Sequence, residues 1–328
     1  MERWLVCCAA ALAALAACDR RPEASRPLVV ASVRQPATAL LFLAGPAGCF
    51  TAERLAIEER PHDLGRDALG SLREGSADVA VAYETPLARA ALADGRLRVL
   101  TRLHTSTRNT RVVARGAAGI GGFSDLAGKR LAFARGTNAD FFAVLALGIG
   151  GVSPGSATLV DLPPPRSVAA LARGEVDAAV LSDPFAAEAE EALGQGARTL
   201  RTPLYAEASL LITREDVVAS RRGQLVALLR ALACAERRAG EDPARARALV
   251  AGRFPELTPP RLEAQLARVT WGLGLDNVLV DVLSREWDWL SASAGGAAPM
   301  GRLLEPALLE EVEPESVTLL PAAGDLAW

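Results

Sequence analysis

The stretch SVAALARGEVDAAVLSDPFAAEAEE, Ser167 to Glu191, decides how this chain is read. Its pattern is a helix, a tight turn, a buried strand, then a short polar loop that opens another helix. An echo lies upstream, ALGSLREGSADVAVAYETPLARAAL, Ala68 to Leu92. The two share L-x-x-G-x-x-D-x-A-V: Leu72, Gly75, Asp78, Ala80 and Val81 against Leu171, Gly174, Asp177, Ala179 and Val180, without a gap. A period near 100 residues is too long for a solenoid. It suits two similar α/β lobes, each ending this strand in a loop that carries a carboxylate, Glu84 and Asp183.

Working outward, each copy sits in a series of strand–helix units, the pattern of a mostly parallel sheet covered by helices. The expected fold is α/β, with two Rossmann-like lobes joined by a two-strand hinge. Lobe 1 comprises 28–110 and 206–328, and lobe 2 comprises 111–205. The first strand is read at Leu28–Val33, a weakly patterned one at Arg54–Glu59, and helices at Ala39–Ala47, Arg221–Arg238, Pro260–Leu273 and Val278–Leu290. Trp271, Trp287 and Trp289 read as core residues at helix spacing.

Residues 1–18 have a charged start, a short apolar run and small residues before Cys18, the parts of a secretory signal; 19–27 reads as a polar tether. That apolar run falls short of the roughly 20 residues that span a bilayer. The chain is half hydrophobic, with 36 basic against 39 acidic residues and a net charge of −3. It shows no basic stripe of the kind a nucleic-acid surface needs. Two histidines and five cysteines form no metal-ligand pattern, and Cys49 and Cys234 read as buried free thiols, with a disulfide between them as the alternative. No cofactor is expected.

Ligands of open parallel sheets bind outside the carboxyl ends of the strands. The loops there are Arg34-Gln35, Tyr83-Glu84-Thr85, Gly136-Thr137-Asn138 and Ser182-Asp183 with Phe185. Gly136 permits close backbone approach, and Thr137 or Asn138 can cap the next helix or leave its N–H groups to an anionic or carbonyl oxygen. Glu84 and Asp183 would take an amine, an amidine-like group or ring N–H donors, or merely cap their helices. Arg34 would answer a carboxylate or sulfonate, or stay solvated. Tyr83 and Phe185 would sandwich a ring, or pack the loop base. His104 reads as structural. No G-x-S-x-G, P-loop or H-E-x-x-H motif occurs, so the constellation is a poor catalyst.

The segments DLAGKRLAFARGTNADFF (Asp125–Phe142), VDLPPPRSVAALARGEVDAAV (Val160–Val180) and the following SDPF, with VVASVRQPAT near the start and LEPALLEEVEPESVTLLP near the end, resemble bacterial substrate-binding proteins of the nitrate/sulfonate/taurine class, also described as SsuA/THI5-like or NMT1. The resemblance implies a periplasmic receptor of the type II binding-protein fold that closes on a small-molecule solute and passes it to separate ABC permease and ATPase subunits, acting as a monomer. Leu15-Ala16-Ala17-Cys18 is similar to a lipobox; there Cys18 carries the lipid and Asp19 keeps the protein at the inner membrane, its only membrane contact. The resemblance raises Gly136, Thr137, Asn138 and Asp183 as site residues. Ser182, where the family often has an aromatic residue, and Cys49, in place of the family's Gly and aromatic residue, are departures. The rival readings are a sensing lipoprotein that reports to a signalling partner, and a THI5-type pyrimidine-precursor enzyme with pyridoxal phosphate on a lysine. Lys129, the only lysine, lies at the wrong end of its strand for the latter.

Overall fold

A computed structural model describes residues 26–293 and 302–320. The signal segment, Cys18 and most of the tether lie outside the described residues. Two sheets organise the molecule. The larger has the order β12-β11-β4-β10-β3-β1-β2. Its strands are β1 (Leu28–Val33), β2 (Ile57–His62), β3 (Val79–Tyr83), β4 (Leu97–Ser106), β10 (Glu207–Arg214), β11 (Thr270–Asp276) and β12 (Val317–Thr318). The smaller has the order β7-β6-β8-β5-β9, from β5 (Arg111–Arg115), β6 (Arg130–Phe133), β7 (Thr158–Asp161), β8 (Ala178–Leu181) and β9 (Ala197–Leu200). The chain crosses between the sheets twice, at 107–110 and 201–206.

The two copies of the repeat build the same unit. Helices α1 (Gly65–Arg73) and α4 (Pro164–Arg173) lead into β3 and β8. Leu72 and Leu171 are fully buried. Gly75 and Gly174 turn the chain at φ of 79° and 74°, the left-handed region that glycine enters without steric cost. The aspartate three residues later then does one job twice. Val29 N–H of β1 donates to Asp78 Oδ2 at 2.9 Å, and Arg130 N–H of β6 donates to Asp177 Oδ2 at 2.9 Å. In return Asp78 N–H donates to Val29 and Asp177 N–H to Arg130, each at 2.9 Å. Each carboxylate thereby secures the start of the neighbouring parallel strand. Both β3 and β8 are buried along their whole length, as strands covered on both faces must be.

Helices α2 (Glu84–Ala93), α3 (Asn138–Ile149), α5 (Phe185–Leu193), α6 (Glu215–Glu241) and α7 (Asn277–Ser293) cover the sheets. One apolar core lies in each lobe around its sheet, and satellite clusters lie under the outer helices. Helix α7 belongs to both: Leu279 and Leu283 pack in the larger core, Val282 in the smaller. No helix among the described residues is long and apolar enough to cross a membrane.

Several expectations need correction. The helix read over Pro260–Leu273 ends at Leu266, and Trp271 stands on β11. The run TWGLGLD alternates with period two, and its glycines disfavour a helix. The helix read to Ala47 stops at Leu43, and the second strand lies three residues further on than read. Helix α6 is longer than read and is interrupted at Arg221 (φ −129°, ψ 24°), which reaches back to Asp78. Cys49 and Cys234 are not free thiols. They form a disulfide with Cα atoms 5.9 Å apart, because α6 crosses the short helix Cys49–Ala52 despite a separation of 185 residues.

Candidate functional site

The loops after β1, β3, β6 and β8 bring polar side chains together beside the two crossings. From the larger lobe, Gln35 Nε2 donates to the Tyr83 hydroxyl at 3.1 Å. From the smaller, Asn138 at the start of α3 donates to Thr110 Oγ1 at 2.9 Å and to Ser182 Oγ at 3.4 Å, and the two hydroxyls stand 2.7 Å apart. At the centre is Glu207, the first residue of β10, which is 1 % exposed. Its carboxylate accepts from Asn109 Nδ2, the Thr110 hydroxyl and, at 3.3 Å, Asn138 Nδ2. None of those donors is a cation. Burial pushes Glu207 up to about 7, against the pull of its three hydrogen bonds and with a further push from the Asp183 charge. Burial also raises the Tyr83 phenol well above its ordinary range, and the charges of Glu207, Glu84 and Asp183 add to that shift.

The carboxylates of the twin loops are already partnered. Glu84, fully buried as the first residue of α2, accepts from the Tyr205 hydroxyl at 2.7 Å and from Ala208 N–H at 3.1 Å. Burial raises its pKa, and the Tyr205 hydrogen bond pulls the other way. Asp183 lies two residues past the end of β8, ahead of a cis bond to Pro184. Its Oδ1 accepts from Arg111 at 2.8 Å, its Oδ2 accepts from Arg268 of the larger lobe, and its N–H donates to Asn109 Oδ1. Arg111 is fully buried and also holds Glu190. Burial works against its charge, but these two carboxylates prevail and raise its pKa.

The remaining expected residues divide. Gly136, at φ 74°, donates its N–H to Asp140 Oδ2 at 2.8 Å. Thr137 caps α3 by accepting from Ala139 N–H, and its carbonyl accepts from Asp140 N–H. Most donors of this helix start are thus satisfied from within, leaving the amides of Thr137 and Asn138. Arg34 does not face the cluster; it pairs with Glu256 at 2.7 Å and lies over Phe254. The Tyr83–Phe185 sandwich is not formed. Tyr83 meets His104 edge to face, while Phe185 packs against the cluster of Val113, Ala179 and Leu181. Thr85 is buried and among the described residues has no hydrogen-bond partner of normal geometry, nor has the neighbouring Glu286, whose carboxyl burial raises well above its ordinary value. His104 is fully buried, its Nδ1 meets Ser209 Oγ at 2.7 Å, and burial lowers it to about 3.

Three further contacts hold the lobes together around this cluster. Arg89 of α2 pairs with Asp140 at 3.3 Å, Arg261 pairs with Glu191, and Phe141 of α3 stacks at a tilt on Trp289 of α7. Sequence reasoning missed Asn109, Thr110, Arg111, Glu207 and Arg268. The available signal was a charged or amide residue at each end of a crossing otherwise bounded by apolar strands.

Among the described residues no group of His, Cys, Asp and Glu could hold a metal ion. Lys129 Nζ donates to the Ala118 carbonyl at 2.7 Å, away from the cluster. Both described cysteines are in the disulfide.

Residues 35–246 match the family described as NMT1/THI5 like. The chain belongs to that family. No curated protein matches it in sequence. Solved structures place the fold. The periplasmic aliphatic sulphonate binding protein SsuA from Escherichia coli superposes with a TM-score of 0.69 at 18 % identity, over 83 % of this chain and 94 % of that one. The Candida albicans CA3427 gene product, described as having the generic periplasmic binding protein fold, gives 0.68 at 15 % identity, over 92 % and 99 %. The desulfurization enzyme DSZB gives 0.65 at 17 % identity, over 88 % and 99 %. This NMT1/THI5-like chain therefore has the two-lobed periplasmic-binding fold, which serves receptors and at least one enzyme.

Proposed function

We propose that this protein is the extracytoplasmic receptor of an ABC importer. It captures a small organic solute between lobe 1 (28–110 with 206–328) and lobe 2 (111–205) and hands it to a separate permease and ATPase. Cleavage before Cys18 and acylation there would tether it to the inner membrane on residues 19–27. The carrying observation is the polar cluster of Gln35, Tyr83, Asn138, Ser182 and Glu207, contributed by both lobes and bracketed by ion pairs between them. A solute that touches both sides stabilises only the closed arrangement, which is how such a receptor couples binding to shape. Among sulfonate, nitrate and pyrimidine-like solutes, an acceptor-rich wall with no cation on Glu207 favours the one with N–H donors. A non-enzymatic role is supported by a lysine bonded to a backbone carbonyl and by cysteines locked in a disulfide.

The test is a thermal-shift screen of the mature protein with an alkanesulfonate, nitrate and an aminopyrimidine, since a ligand of the folded state raises Tm by mass action. The aminopyrimidine should give a saturable rise that Asn138→Ala and Tyr83→Phe weaken. A panel without any saturable response removes the receptor reading. Turnover of any member would replace it with the enzyme one.

A further inference from the structure

A hollow of about 380 Å³ opens beside the first crossing, between the ends of β4 and β11 and the start of α7. The sheet order sets β4 and β11 on the far side of β10 and β3 from β1 and β2. None of Gln35, Tyr83, Asn138 or Ser182 lines it. Its size is that of a small-molecule site.

Its wall is built, strand by strand, to present guanidinium and hydroxyl groups. Thr105 stands opposite Ala208 of β10 and Thr270 of β11. Directly opposed side chains share a sheet face. A register shift in β4 then brings Arg102, opposite Leu210 and Gly274, onto that same face. Gly274 is the residue that makes room, because a Cβ there would clash with the Arg102 guanidinium. Arg102 Nη1 lies 3.3 Å from Asp276 but is buried without a hydrogen bond. Arg108 and Arg268 complete the rim. Arg268 is engaged by Asp183, whereas Arg108 donates only to the Ala267 carbonyl. Two carboxylates thus answer three guanidinium groups. The Thr105, Thr107 and Thr270 hydroxyls have no protein hydrogen-bond partner among the described residues. The rest of the lining is apolar: Ala206, Ala208, Val278 and Leu279.

We infer that this hollow is a second binding site, for a small oxyanion held by Arg102 and Arg108 and by the Thr105 and Thr270 hydroxyls. Guanidinium groups bind planar or tetrahedral oxyanions through paired N–H donors, and hydroxyls fill the remaining lone pairs. The oxyanion can be free inorganic phosphate or the head of a short organic acid whose tail would lie on the Ala–Val–Leu wall.

Isothermal titration of the mature protein at fixed ionic strength, with phosphate and separately with propanesulfonate against a chloride control, tests this. Saturable binding is expected. Tighter binding of propanesulfonate would identify an organic acid as the occupant, and equal or tighter binding of phosphate a free inorganic ion. Arg108→Ala removes an exposed side chain with one backbone contact, so the fold should persist, and it should weaken binding by about tenfold or more. Arg102→Gln should do the same, while Asn138→Ala in the interlobe cluster should leave the anion affinity unchanged. The inference is overturned by an absence of saturable heat, by Arg108→Ala binding as tightly as the native chain, or by loss of binding in Asn138→Ala, which would move the anion to the cleft. It does not depend on the receptor reading: the absence of an aminopyrimidine response leaves it standing, whereas the absence of any alkanesulfonate response would not decide between the two sites without the titration.

Discussion

Position 84 in the larger lobe and position 183 in the smaller occupy the same place in a repeat, after strands whose aspartates clasp the next strand in the same way. Their fates differ. Glu84 is already helical and meets neutral partners, a phenol and a backbone amide. Asp183 sits ahead of a cis proline and a later helix start, and meets two guanidinium groups, one from each lobe. A buried carboxylate that meets only neutral donors leans toward its protonated form, and burial raises Glu84 accordingly, whereas Asp183 is held by ion pairs. The same scaffold therefore carries a proton-holding acid on one side and a salt-bridged anion on the other. The repeat transmits architecture and leaves chemistry to the two or three residues after the strand.

The sharpest way to break this contrast is Arg111→Met. It leaves Asp183 and Glu190 short of their buried partner, and removing one member of a buried ion pair costs about 3–5 kcal/mol. Urea unfolding should show that loss. The counterpart in the other loop, Tyr205→Phe, removes a neutral hydrogen bond to Glu84 and should cost about 1–3 kcal/mol by the same measurement. Equal losses would mean that the two loops do not differ in kind.

The turns should also separate. Alanine at a left-handed position costs about 1–2 kcal/mol. Gly75→Ala meets open space, whereas at Gly174 a Cβ would lie 2.9 Å from Arg115 Nη1. Gly174→Ala should therefore lower Tm more than Gly75→Ala.

The smallest effect is with pH. Glu84, Glu207 and Glu286 have folded pKa values above their ordinary 4.5, so between the ordinary and the folded values the folded chain holds more protons than the unfolded one. Stability from these groups is greatest at low pH and falls as pH rises through the folded values. His104, lowered to about 3, acts oppositely but only below about 6.5, where the unfolded chain takes up its proton. From pH 7 to 8.5 only the carboxylates remain, and the unfolding free energy should fall by about 1 kcal/mol. Glu84→Gln should flatten that slope, and an unchanged slope in that variant would show that Glu84 is ionised throughout.

The lobes were legible because the repeat is covalently local. Leu72, Gly75 and Asp78 lie within one turn and one strand start, and their copies 99 residues later repeat both spacing and job. The cluster was legible only in part. Tyr83, Asn138 and Ser182 lie at or after strand ends and could be found by that rule, but Glu207 and Arg111 open strands that read as apolar. Their side-chain partners come from segments 69 to 98 residues away, a pairing that single-sequence periodicity does not carry. A longer separation, 185 residues, hid the disulfide. The strand TWGLGLD failed for a different reason: a short alternating run with two glycines gives weak evidence for any element.

Cys49 comes from the first chain segment of the larger lobe and Cys234 from the second, with the whole smaller lobe inserted between them. A protease that cut anywhere within 111–205 would therefore leave the flanking pieces tied by one covalent bond. Such a nicked chain should migrate at full length on a non-reducing gel and separate into two fragments once thiol is added.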